Sequence, residues 1–190
     1  RLDLLVLTHF HDDHANGVPE LLERLSVSAI ALPDVEEDSP LRREILTLAE
    51  EKGIPLWWVR RDTTVELEKG QLTLYPPLGA GEANELGLSV LASAGEGDFL
   101  ITGDMDRATE KKLIERYDLP DIEVLAAGHH GSKDSTSAEL LHALTPELAV
   151  ISVGSNSYGH PAEDTLRRLA RAGCAIYRTD RHGNVYFSFQ

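Results

Sequence analysis

Apolar residues along this chain fall into short runs that end in polar clusters. Leu2–Thr8 (LDLLVLT) is strand-sized and closes on polar residues, the pattern of a buried strand. Val18–Leu25 has helical spacing, with Pro19 in its first turn. Ala29–Leu32 predicts a strand. Ser39–Lys52 opens on Ser-Pro, spaces Leu41, Ile45, Leu48 and Ala49 as a helix, and stops before Gly53. Leu56–Val59, Thr64–Leu67 and Leu72–Tyr75 read as successive strands, the last ended by Pro76 and Pro77. Leu88–Ala92 and Phe99–Thr102 read as a strand pair across Gly95–Gly97. The second half alternates: helix Arg107–Arg116, strand Glu123–Ala127, helix Ala138–Leu144, strand Leu148–Val153, helix Glu163–Ala172 closed by Gly173. Ala175–Arg178 and Val185–Phe189 are expected as final strands, turning at His182, Gly183 and Asn184. Strands alternating with helices, plus one purely β stretch, predict an α/β layered (α+β) domain of mixed sheets with helices outside.

The polar clusters sit where the predicted strands end, which is where such folds place chemistry. The first is His9-Phe10-His11-Asp12-Asp13-His14, three imidazoles and two carboxylates in six residues. This mixture of nitrogen and oxygen donors suits zinc, manganese or iron. In extended backbone His9 and His11 point the same way. A turn then aims Asp13 and His14 at a second position, so one loop can serve two ions. The second cluster is Gly103-Asp104 after an apolar run, where a carboxylate with two oxygens can bridge metals. Asp106 is a weaker substitute and equally fits a helix N-cap. The third is Gly128-His129-His130-Gly131-Ser132, where glycines imply close backbone approach. One histidine there reads as a ligand, with a slight preference for His129; the other can protonate a leaving group. The fourth is Ser152–Pro161 (SVGSNSYGHP), which brings Asn156, Tyr158 and His160 into one loop; His160 either meets substrate or belongs to the approach to a helix. His142 and His182 read as structural or exposed, and Trp57-Trp58 as an aromatic pair with one side in the core.

Composition narrows the choices. In 190 residues, 18 basic side chains against 32 acidic ones leave a formal charge of −14. That excludes a broad basic surface holding nucleic acid by counterion release. It leaves room for an enzyme whose bound cations supply the local positive charge. One cysteine, Cys174, excludes an intrachain disulfide framework and a cysteine-rich zinc site. No apolar run approaches the roughly 20 residues that span a bilayer, and no secretory leader is visible.

Taken together, HFHDDH, then GD, then GHHGS resembles the metallo-β-lactamase superfamily, whose HxHxDH signature the first motif matches in full. GHHGS, SVGxNxYGHP and the late RTDRHG more narrowly resemble the C-terminal hydrolase domain of ComEC-type competence proteins, which carry DNA through the bacterial membrane. The resemblance implies an αββα sandwich over residues 1–190, one domain of a larger chain, with the first strands of the usual domain lying before Arg1. It implies two divalent ions, manganese or zinc: His9 and His11 on site 1, Asp13 and His14 on site 2, Asp104 bridging, and His129 or His130 completing site 2. Two departures stand out. The further site 1 histidine usual in the superfamily is missing, since no histidine lies between His14 and His129, so site 1 is expected to be weak; Asn84 or Ser89 lies in the corresponding stretch. Many ComEC-like sequences also have Asp where this one has His11, which tilts the donor set towards zinc.

The expected activity is metal-dependent hydrolysis of phosphodiesters, with DNA as substrate and a membrane channel domain of the same protein as partner, on the outer side of the cell membrane. Asp13 or Asp104 would orient the attacking water, and His130 or His160 would assist the leaving oxygen. Ser132 with backbone amides near Gly131 would hold a phosphate oxygen, with Asn156 and Tyr158 beside the substrate. The competing readings are a small-molecule ester hydrolase of the same fold and a non-catalytic metal-binding module.

Overall fold

The chain was described from a computed structural model, which covers residues 1–79 and 86–188. The smaller of two sheets is parallel, in the order β1 (Leu5–Val6), β2 (Ile30–Pro33), β3 (Leu56–Val59). Its connections run through α1 (Asp12–Ala15), α2 (Val18–Arg24) and α3 (Pro40–Glu51). The larger sheet begins with four antiparallel strands: β4 (Thr63–Leu67), β5 (Gly70–Tyr75), β6 (Ser89–Ala94) and β7 (Gly97–Ile101). It continues in parallel through β8 (Val124–Ala126), β9 (Leu148–Ile151) and β10 (Ala175–Arg178). The helices α4 (Arg107–Arg116), α5 (Ala138–Leu144) and α6 (Glu163–Arg171) connect these parallel strands, and a last helical turn, α7 (Thr179–His182), follows β10.

Strand alternation builds the layers, because successive side chains leave a strand on opposite faces. From β2, Ile30 and Leu32 pack with Val18, Leu22, Ile45 and Ala49 of α2 and α3. Ala31, between them, faces the other way and joins Leu74, Val90 and Ile101 of the large sheet. From β7, Leu100 packs outward with Leu113, Leu140 and Leu169 of α4, α5 and α6. The order is therefore helices, small sheet, large sheet, helices, which is the αββα sandwich expected. Each fully buried Leu, Ile or Phe of these layers contributes roughly 1.5–3 kcal/mol.

The helix starts follow local chemistry. Ser39 caps α3 by accepting the amide of Arg42, with Pro40 in the first turn. Asp106 caps α4, its Oδ1 accepting the Thr109 amide at 2.8 Å, which is the N-cap reading of that residue. Two expectations need correction. The strand predicted over Leu2–Thr8 shrinks to Leu5–Val6, with a single bridge between Leu2 and Val27. The predicted strand Val185–Phe189 does not form over 185–188, and Phe189 lies outside the described residues. Its cause lies upstream. The Thr179 hydroxyl binds both the amide and the carbonyl of Val153, at 2.8 Å each, and the Arg178 amide donates to His182 Nδ1. The chain coils into α7 where a tight hairpin would have had to turn.

Candidate metal centre

Four chain segments meet at the carboxyl ends of β1, β7, β8 and β9. Leaving β1, His9 is pinned by a contact between its Nδ1 and Thr8 Oγ1 at 3.1 Å, and the chain then coils into α1. That turn brings His14 back over His9, with ring centroids 4.0 Å apart. The loop after β7 turns at Gly103, whose φ of +62° a side chain would resist, and presents Asp104. The loop after β8 packs close: a Cβ at Gly131 would lie 2.6 Å from Pro161 Cβ, and one at Gly128 would lie 3.1 Å from Thr102 Oγ1. The glycines flanking the histidine pair thus serve a close approach to protein, at the Ser152–Pro161 loop and the end of β7.

Asp104, only 3% exposed, is the hub. Its Oδ1 lies 3.1 Å from His14 Nε2 and 4.0 Å from His130 Nε2. Its Oδ2 lies 3.7 Å from both His9 Nε2 and His129 Nε2. Asp13 Oδ2 is 3.3 Å from His130 Nε2, which is itself 3.2 Å from His14 Nε2. Two groups of donor atoms result: Asp13, His14, Asp104 and His130 in one, His9, His11 and Asp104 in the other.

Electrostatics fits this geometry. His9 is lowered to about 4, first by burial and then by the neighbouring His14, so its imidazole is neutral at physiological pH. Burial also pulls His14 down, but its hydrogen bond to Asp104 and the charges of Asp104 and Asp13 outweigh that and raise it. For Asp104, burial pushes upward; the hydrogen bond from His14 and the charges of His14, His9 and His129 prevail and hold it low. His160 is lowered, by burial first and then by His129 and His130.

These residues fit divalent ions. His9 Nε2 is buried without a hydrogen-bond partner, an arrangement that costs about 1–3 kcal/mol unless something binds that lone pair. Two ligands each about 2.1 Å from a tetrahedral ion lie about 3.4 Å apart, close to the separations around Asp104.

The structure therefore groups His9, His11, Asp13, His14 and Asp104 as the motif spacing implies. It differs at the histidine pair. His130, not the slightly preferred His129, lies with Asp13 and His14, because the chain holds both residues at positive φ and turns their rings 74° apart. Ser132 does not reach the site. It is 5% exposed, its Oγ accepts the Asp134 amide, and its carbonyl accepts the Thr165 hydroxyl. Ser89 is buried with its hydroxyl on Met105 Sδ, and Asn84 lies outside the described residues. Asn156 works on its own loop: its Oδ1 accepts the amides of Tyr158 and His160, and its Nδ2 donates to the Gly154 and His160 carbonyls. Tyr158 is 83% exposed and stacks on His160 at 5.9 Å. Two clefts, of about 380 and 440 Å³, adjoin at the cluster and share Asp13, His130, Tyr158 and His160.

Sequence reasoning missed the groups that hold the segment after the pair, which Gly128 joins by donating its amide to Thr136 Oγ1 at 3.0 Å. Glu110 is fully buried, and its carboxylate accepts the amides of Thr136 and Ser137 at 2.5 and 2.8 Å. Arg168 donates to the carbonyls of Lys133, Ser135 and Thr136. An acid at the Glu110 position of a helix carries no signal of burial; the small polar run Ser135–Ser137 was the available hint.

A sandwich of two sheets with imidazoles and carboxylates gathered at its strand ends defines a class, and comparison with known proteins agrees. Residues 1–155 match the Metallo-beta-lactamase superfamily, and the chain belongs to it. Within it the chain is homologous to ComEC-type competence proteins. It is 30% identical over 193 residues to ComE operon protein 3 of Bacillus subtilis (strain 168), covering 100% of this chain and 25% of that protein. It is 31% identical over 189 residues to Recombination protein 2 of Haemophilus influenzae, covering 99% of this chain and 22% of that one. The chain thus spans about a quarter of the length of these relatives. Among solved structures, Tm1679, described as a metal-dependent hydrolase of the beta-lactamase superfamily, shares the fold with a TM-score of 0.61 at 18% identity, over 92% of this chain and 75% of its own. No helix among the described residues is long and apolar enough to cross a membrane.

Proposed function

We propose that this chain is a metal-dependent phosphodiesterase: the DNA nuclease part of a ComEC-type uptake protein, degrading the strand that is not imported. The observation that carries this reading is Asp104, one buried carboxylate with imidazoles at each oxygen, lining a cleft that shares Asp13, His130, Tyr158 and His160 with a second cleft beside it. Two adjoining clefts offer a polymer strand more room than a small ester needs.

Divalent ions bound there would supply phosphate charge neutralisation and an acidified water. Asp13, His14, Asp104 and His130 are the side chains that would hold one ion, and His9, His11 and Asp104 those that would hold another. Manganese and zinc both suit this donor set. Asp13, whose side chain is 61% exposed, orients the attacking water. His160, which lines both clefts, hydrogen-bonds the leaving oxygen. Tyr158 offers an aromatic face to an unpaired base, a mode of binding that needs no basic surface. The charge of −14 is then no obstacle, because the bound ions and the membrane channel domain of the full-length protein recruit the DNA at the outer side of the cell membrane.

The test is cleavage of single- and double-stranded DNA by metal-stripped protein with Mn²⁺ or Zn²⁺ restored, beside Asp104→Ala. Cleavage that needs metal and is absent from the variant is the expected result. A metal-loaded wild-type protein that cuts neither DNA removes the nuclease reading.

A further inference from the structure

The late motif Arg178–Gly183 (RTDRHG) supplies none of the donors gathered around Asp104, yet its Thr179 lines one of the two clefts that meet there. The residues around Thr179, namely Arg178, Arg181 and His182, line a further cleft of about 470 Å³ together with Arg167 and Glu163. We propose that this further cleft is a phosphate subsite for nucleic acid, holding the backbone of a single strand whose scissile phosphate lies at the metal centre. The proposal rests on the phosphodiesterase reading above and adds where the rest of the strand is held.

Position comes from the α7 turn. The Thr179 hydroxyl accepts the Val153 amide and donates to the Val153 carbonyl, at 2.8 Å each, and Val153 lines the same cleft as Thr179. One helical turn therefore separates a wall of that cleft from Arg181 and His182; residues three apart on a helix have Cβ atoms about 5–6 Å apart. Arg178 clamps the turn. Its Nε and Nη2 donate to the two oxygens of Asp180 at 3.0 and 2.6 Å, and its amide donates to His182 Nδ1 at 2.9 Å. With Nδ1 accepting, the ring proton of a neutral His182 sits on Nε2, as a donor for a phosphate oxygen.

Charge selects the ligand. Arg167, Arg178 and Arg181 bring planar guanidinium groups, which pair with phosphate oxygens. The acids beside them are Glu163, which lines the cleft, and Asp164 and Asp180, which pair with Arg167 and Arg178. Arg181 is exposed and makes no ion pair among the described residues. The Arg167–Asp164 pair lies at the surface, with side chains 56% and 64% exposed, and pairs of that kind are weak enough to be exchanged for a phosphate. The cleft lined by Asp104 has the opposite sign: it carries Asp12, Asp13 and Glu37 and, among the described residues, no lysine or arginine. A polyanionic strand is repelled on that side and drawn towards the arginines, a local cluster of cations on a chain whose overall charge is −14.

The experiment measures binding of a fluorescent single-stranded oligothymidine to the whole metal-stripped chain by anisotropy, over a range of salt, so that no cleavage intervenes. Arg167→Gln and Arg181→Gln are compared with Arg171→Gln, which removes the same charge at a separate cleft beside His142. Each of the first two is expected to weaken binding about 5-fold at about 0.1 M salt and to flatten the slope of log K against log salt by about 0.7, the loss of one phosphate contact on a single strand. Arg171→Gln should keep the wild-type affinity and slope. Wild-type binding by both Arg167→Gln and Arg181→Gln would overturn the proposal, as would an equal loss in Arg171→Gln or a wild-type chain that does not bind the strand. A chain that cuts DNA with metal restored, yet binds alike in all variants, keeps the nuclease reading and loses this subsite. A chain that binds through Arg167 and Arg181 but never cuts loses the nuclease reading and keeps a nucleic-acid site.

Discussion

His130 donates its Nδ1 proton to the carbonyl oxygen of Ser152 at 2.9 Å. A carbonyl can only accept, so this bond fixes the tautomer and turns a bare Nε2 towards Asp13 and Asp104. The end of β9 therefore orients an imidazole carried by the loop after β8. At His9 a contact between Nδ1 and the Thr8 hydroxyl, which can donate or accept, orients the ring without fixing its tautomer, and Nε2 faces Asp104. Both rings are aimed by the fold before any ion arrives, which lowers the ordering cost of binding one.

Asp104→Asn keeps the shape but removes the charge and one of the two acceptor oxygens. Metal binding at both positions is expected to weaken by at least about 100-fold, with turnover falling at least as far, since a lost ligand exceeds the roughly 10–100-fold effect of an outer-shell partner. Metal analysis after dialysis, beside DNA cleavage, checks it. A variant that keeps two ions and full activity contradicts the bridging role.

The depressed pKa of His9 sets a pH dependence for the metal-free chain. Its folded value, about 4, lies below the ordinary 6.5, so between these values the unfolded chain binds the extra proton. Stability from His9 is present above pH 6.5 and is lost as pH falls towards 4, about 3 kcal/mol in all. His14, raised, acts in a different window: its contribution is complete below 6.5 and is lost as pH rises through its folded value. Thermal unfolding in chelator should therefore show Tm dropping from pH 6.5 to 4, with a shallower slope in His9→Asn. Equal slopes in the two proteins would refute it.

Glu110 is linked to the histidine pair only through Thr136, whose hydroxyl accepts the Gly128 amide at 3.0 Å. Glu110→Ala leaves the amides of Thr136 and Ser137 buried and unpaired, at a cost of about 2–5 kcal/mol. For a chain of this size that lowers Tm by roughly 5–15 °C. Differential scanning calorimetry with and without Zn²⁺ measures it. A shift under about 2 °C would mean water enters and satisfies those amides.

Much of this molecule can be read from apolar spacing, because alternate residues of one strand enter different layers: Ile30 and Leu32 face the helices, and Ala31 faces the larger sheet. The motif HFHDDH is also legible, since one short loop after a strand carries most of the donor side chains gathered around Asp104. The choice between His129 and His130 is not. They are adjacent and chemically identical, and only two successive positive φ values, which no periodicity encodes, assign them to different oxygens. Ser132 misled for a related reason: a serine after glycine suggests an anion contact, but this one is held inward by the Asp134 amide and the Thr165 hydroxyl. The last strand failed because alternation at Val185–Phe189 says nothing of how Thr179 anchors the preceding chain to Val153.

Tyr158 separates the polymer reading from the small-ester one. Its ring, 83% exposed and lining both clefts, is free to meet whatever enters them. If an unpaired base stacks on it, Tyr158→Ala loses about 1–3 kcal/mol of binding, a roughly 5–150-fold rise in KM for a single-stranded oligonucleotide. The value of kcat should stay close to wild type, because the ring holds substrate equally before and during reaction. Tyr158→Phe should bind as wild type, since the π face and not the hydroxyl makes the contact. Hydrolysis of a minimal phosphodiester without a base should be indifferent to both changes, because nothing then stacks on the ring. Loss of that minimal reaction in Tyr158→Ala would show instead that the residue shapes the catalytic loop through His160, its stacking partner at 5.9 Å.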